Sequence, residues 1–181
     1  MNTRLLGTLC MLGALAGVAE GFRVALGRGD PDTLSYLTGL AFAGGEVCGI
    51  LGMRALKIAG RGMAAGVVFG VMLLAGVAQM VLEAFGLITG NPADPLPGLV
   101  GMVILVGALV IGIMALRTGT WSGWRAYVPF ALPLAIVLTI VAAIAGVTFG
   151  LMLAAAAWLA IGYAVYSSPV EPAFEAMGAG A

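Results

Sequence analysis

Apolar residues fall along this chain in long, nearly unbroken runs, not in the alternating or three-to-four spacing of a half-buried element. A bilayer core ~30 Å thick needs roughly 20 apolar residues at ~1.5 Å rise each. Six stretches meet that need: 5–26, 34–53, 63–88, 98–116, 127–145 and 150–167. Gly27 to Thr33 reads as a turn, and Asn91 to Pro97 as a stiff proline-rich connection. Residues 131–167 are almost continuously apolar, and 37 residues of helix would measure about 55 Å, too long for one span. A turn is therefore expected at Gly146–Gly150, where two glycines relax the backbone. Pro129 and Pro133 should kink the fifth span near its start.

Two matches at nearly one offset suggest an internal repeat. Leu15 to Glu20 returns as Leu74 to Gln79, and Gly52 to Lys57 returns as Gly112 to Arg117. A fainter third copy places Ile161–Val165 beside Ile111–Ala115. The fold predicted is an all-α integral membrane bundle of six transmembrane helices, arranged as three tandem helical hairpins in parallel repeat. It forms a single domain over 1–181, with 168–181 a short flexible tail. Arg4, the apolar run 5–18 and Gly17-Val18-Ala19 also fit a cleavable signal peptide, but the repeat favours a retained first span.

Orientation follows from the basic residues. With the N-terminus inside, Arg4, Arg54, Lys57, Arg61, Arg117 and Arg125 fall on the cytoplasmic side, and only Arg28 opposite. Both termini are thus expected in the cytoplasm, in a bacterial inner (plasma) membrane. Trp121, Trp124 and Tyr127 suit an interfacial aromatic belt.

Composition then narrows the chemistry. Of the 181 residues, 62% are hydrophobic and 9% charged, against ~25% charged in an ordinary soluble domain. Eight basic and eight acidic residues cancel, which leaves no basic surface for nucleic acid. No histidine is present, which removes His-based metal sites, haem ligation and Ser-His or Cys-His catalysis. No cofactor or metal is expected. Cys10 and Cys48 lie at similar depth on adjacent spans and form a candidate thiol pair, though both also suit small apolar filler. Small residues at Gly13, Gly17 and Gly21, at Ala41, Gly45 and Gly49, and at Gly66 and Gly70 are spaced for close helix contact. Span four carries nothing more polar than Met and reads as a lipid-facing or purely packing helix.

The candidate site is the set of polar residues inside the spans. Glu20 and Arg23 share a helix face at i,i+3, and Gln79 and Glu83 share one at i,i+4. All four fall in the outer half of the membrane. One cluster is expected there, with Arg23 bridging Glu20 and Glu83, either as a cation site or as a satisfied structural network. Glu46 stands apart, about 10 Å from the cytoplasmic edge and too deep to reach water easily. It must hold its proton, bond to backbone or Thr8, or line a wet cavity; Arg54 lies two turns away on the same helix.

No catalytic motif occurs, and no residue is assigned a catalytic role. The lack favours a polytopic membrane protein without enzymatic activity, structural, assembly or regulatory in role. The alternative is a small proton- or cation-linked transporter or channel using the intramembrane carboxylates. An intramembrane enzyme would have to rely on carboxylates alone. Its partners are expected to be the lipid bilayer, and a second copy or another membrane protein.

Overall fold

The computed structural model describes residues 2–27, 32–91, 96–144 and 150–168. Apolar runs of this length must satisfy their own backbone groups, and they do so as helices. These are α1 (Thr3–Ala25), α2 (Thr33–Ala55), α3 (Met63–Thr89), α4 (Leu96–Thr118), α5 (Ala131–Ile144) and α6 (Gly150–Tyr166), with a 3-10 segment, Gly123–Phe130, before α5. Five stretches are long and apolar enough to cross a membrane, the fifth running from the 3-10 segment into α5. The sixth helix, α6, is apolar but shorter, at 17 residues. The expected turns at 27–33, 91–97 and 146–150, the loop residue Arg28 and the tail after Ser168 lie wholly or largely outside the described residues.

Local chemistry sets the helix ends. The Asn2 side chain accepts from the Leu5 N–H at 3.2 Å and Asp32 accepts from the Ser35 N–H at 2.8 Å, the N-cap pattern. Gly90 closes α3 in the left-handed region, φ 68°, its N–H bonding the Gly86 carbonyl. The expected kink in span five proves to be a change of helix type. Pro129 lies inside the 3-10 segment, where an α-helix would need the N–H that it lacks, and α-geometry starts only at Ala131. Pro133 then falls in the first turn of α5, where no N–H is required.

Helices α2, α3, α4, α5 and α6 follow one another around a ring that closes through a direct α6–α2 contact. The α4–α5 seam is the thinnest part of that ring. Helix α1 lies outside it, in the groove between α2 and α6, and its contacts with those two are the most extensive in the molecule. Glycines make that approach possible. A Cβ placed on Gly13 would sit 2.6 Å from both the Ala41 carbonyl oxygen and the Gly45 Cα. A Cβ on Gly7 would sit 2.6 Å from the Tyr166 nitrogen. The rows on α1 and α2 are therefore contact surfaces, in which backbone packing replaces the hydrophobic drive that lipid removes. The row on α3 is not: Gly66 and Gly70 face open space.

Each helix turns one stripe inward. Ala65, Phe69, Met72 and Gly76 are buried on α3, and Ile104, Ala108, Ile111 and Ala115 on α4. The opposite faces expose Leu, Val, Ile and Phe throughout, a surface that requires hydrocarbon around it. Span four, expected to be lipid-facing or packing only, is both. Trp124 and Tyr127 are exposed as a belt requires, but Trp121 is buried in the core, so the three do not act as one band.

The two ends of the bundle are built differently. At the end holding the α2–α3 loop, Ile58 and Ala59 fold back into the core, and the Thr118 hydroxyl donates to the Ile58 carbonyl at 3.0 Å. Also there, Arg125 donates to the Ser167 carbonyl at 3.0 Å, placing a cation on the last carbonyls of α6. Its guanidinium lies 5.6 Å from the Trp124 ring centroid, and Trp124 stacks on Tyr163. The other end, where α2 begins, holds Asp32 and the charged network described next.

Candidate functional site

Five polar side chains from α1 and the start of α2 form one network. Arg23 pairs with Glu20 through Nε at 3.1 Å, and through both terminal nitrogens with Asp32, each at 3.1 Å. Arg23 also donates to the Ser35 hydroxyl at 3.0 Å. The Ser35 hydroxyl donates in turn to Glu20 at 2.7 Å, and the Thr38 hydroxyl donates to the other Glu20 oxygen at 3.0 Å. Glu20 is buried yet has a cation and two hydroxyl donors, the condition on which a buried carboxylate is tolerated.

The bridge from Arg23 to Glu83 is not what forms; Asp32 takes that place. The reason is the order of the helices. Helix α2 stands between α1 and α3, so Arg23 meets the α2 N-cap first. Glu83 instead lays its carboxyl over Gly39 of α2, where a Cβ would lie 2.7 Å from its Cδ. Asp32, Ser35, Thr38 and Gly39 were missed in the sequence because they stand at a helix start, where polar residues look like solvent contacts. Their spacing of three to four along α2 was the available signal.

Asp32 is the exposed member of the network. The Ser35 backbone N–H, and then Arg23, hold its carboxyl below the ordinary aspartate range. A depressed folded-state value means that the charged form favours the fold. The contribution is fully present above the ordinary aspartate value of ~3.9 and is lost as the pH falls through the depressed one. The Asp32→Asn variant should therefore melt below the parent at neutral pH. The two melting temperatures should converge as the medium is acidified through and below the aspartate range, and a constant gap would contradict this.

Deeper in the bundle, a half-open cavity of about 190 Å³ lies inside the ring. Glu46 and Phe42 reach it from α2, Gln79 from α3, Leu105 from α4, Ile136 from α5 and Trp158 from α6. Gly98 and Gly101 border it near the start of α4, so it extends from mid-bundle toward the Asp32 end. Glu46 is 6% exposed, and the Trp158 indole N–H is the donor facing its carboxyl. Among the described residues, neither Glu46 Oε2 nor Gln79 Oε1 has a hydrogen-bond partner. Glu83 on α3 and Cys10 on α1 lie close enough to Glu46 for charge to act between them.

Two expected partners of Glu46 are occupied elsewhere. The Thr8 hydroxyl donates to the Arg4 carbonyl at 2.9 Å, and Arg54 is exposed. Cys10 and Cys48 are both free thiols, and Cys10 donates to the Trp158 carbonyl at 3.4 Å. Among the described residues no three carboxylate or thiol groups converge as a metal cage would require. Among the described residues, the polar groups thus divide into a bonded network around Arg23 and two unsatisfied oxygens, Glu46 Oε2 and Gln79 Oε1, in the cavity. Glu83 stands between them over Gly39.

No family model, no curated protein and no solved structure matches this chain.

Proposed function

We propose that this chain is a small membrane carrier without enzymatic activity, in which Glu46 takes up a proton or a cation from the cavity. One observation carries the reading: a buried carboxyl halfway along α2 lines a cavity and has no ion-pair partner among the described residues. A structural carboxylate at such a depth is expected to be fully bonded, as Glu20 is, so the unsatisfied one is the working one. The charge bias of the loops supports a reading with both termini in the cytoplasm, in a bacterial inner membrane. The cavity then faces outward, past the Arg23 network. The three hairpins would be parallel repeats, with the third least alike.

The Arg23 network is well bonded and belongs to the architecture. It ties the end of α1 to the start of α2 and so holds one wall beside the cavity.

Reconstitution into liposomes with a trapped pH-sensitive dye tests this. Under an imposed pH gradient the parent should carry protons, and Glu46→Gln should slow the flux by about tenfold or more, because an amide has no carboxyl proton to exchange. Equal flux for parent and variant between about pH 5 and about pH 8 would return the chain to a structural, assembly or regulatory role.

A further inference from the structure

We infer that the cavity binds a small protonated amine with an apolar body, a single ring or a short alkyl chain. This rests on Glu46 being the group that is loaded, and it names the class of molecule that loads it.

The chemistry of the walls leads there. Among the described residues, the cavity holds two unpartnered acceptors, Glu46 Oε2 and Gln79 Oε1, and no lysine or arginine lines it. The Trp158 N–H faces the Glu46 carboxyl, but the two oxygens left over ask for a guest that brings N–H groups. A carboxyl that gives up its proton here asks for positive charge in return. Two aromatic residues, Phe42 and Trp158, stand among the lining side chains, and an aromatic ring can attract a cation further. The rest of the wall is apolar, Leu105 and Ile136 among it, and would strip the water that a metal ion keeps. A bare alkali or alkaline-earth ion takes about six or more oxygens, which this wall does not offer. A protonated amine needs only a few acceptors and gives its remaining surface to apolar contact.

Size sets the rest. A cavity of ~150 Å³ lined by aliphatic side chains admits benzene. At about 190 Å³ this one admits a single ring with a one-carbon amine arm.

The probes are benzylamine, its neutral counterpart benzyl alcohol and sodium ion, titrated by calorimetry into the protein in lipid nanodiscs. Benzylamine should bind saturably, and benzyl alcohol should bind about tenfold or more weakly, the value of a charge-assisted hydrogen bond. Sodium should neither bind nor compete. Glu46→Gln should reduce benzylamine binding by a similar factor. Gly101 borders the cavity and has open space where a side chain would go, so Gly101→Leu should block binding without disturbing the fold. Equal binding of the amine and the alcohol would overturn the inference, as would full benzylamine binding by folded Glu46→Gln. Glu46-dependent proton flux without benzylamine binding would sink the ligand class and leave the carrier reading standing. Benzylamine binding without flux would do the reverse.

Discussion

Gly13→Leu should cost the bundle about 3 kcal/mol or more, the upper end of what overpacking a well-packed core does. The magnitude follows from what the new side chain meets. A Cβ at Gly13 would lie 2.6 Å from the Ala41 carbonyl oxygen and from the Gly45 Cα, both backbone atoms. No rotamer change can relieve that contact, so α1 must move off α2 as a whole. The same substitution at Gly66 or Gly70 meets nothing within 4 Å and should leave stability within about 0.5 kcal/mol, as for an open surface site. Thermal unfolding in detergent, followed by the loss of the monodisperse species, separates the two. A comparable drop at Gly66 would mean that general crowding, not the α1–α2 contact, governs stability.

Arg23→Ala carries the second large effect. Removing one member of a buried ion pair costs about 3–5 kcal/mol, because the other charge is left behind. Here the two side chains are 21% and 11% exposed, so solvent relieves part of that, and about 2 kcal/mol is expected. Ser35 and Thr38 still donate to Glu20 in the variant, but neither supplies charge. The double replacement of Arg23 and Glu20 by alanine should therefore cost less than the two single losses added. A double-mutant cycle on thermal stability measures the difference, and strict additivity would show that the two charges do not act on each other.

Helix positions were legible because the bilayer demands long apolar runs, and the polar residues that interrupt them stand out. Glu20 and Glu46 are buried, and Gln79 and Glu83 extend the buried α3 stripe from Gly76 at the same spacing. What could not be read was which helix each stripe faces. In a lipid-exposed bundle the outer face is as apolar as the core, so apolar residues do not mark the inward side. That is why Glu83 was expected on Arg23, and why the Gly66–Gly70 row was expected to pack. Partners set at helix starts, such as Asp32 and Ser35, are also hidden, because capping residues look alike whether they cap alone or hold a neighbour. The 3-10 entry to α5 was visible only as a kink, since Pro129 states where an α-helix fails and not what replaces it.

The position of α1 between α2 and α6 also bears on how the molecule is made. Its glycine face meets α2 on one side and α6 on the other, and Cys10 bonds a carbonyl 148 residues away. Helix α1 leaves the ribosome early, but its second neighbour, α6, is synthesised well after it. Until α6 arrives, Gly7 has no partner, and the groove it helps line stands open to lipid. Closure is then a late, long-range event, of the kind that slows folding and exposes incomplete chains to misassembly. A chain halted before α6 would lack the seal between α1 and α6, and quality-control proteases would find α1 only half packed.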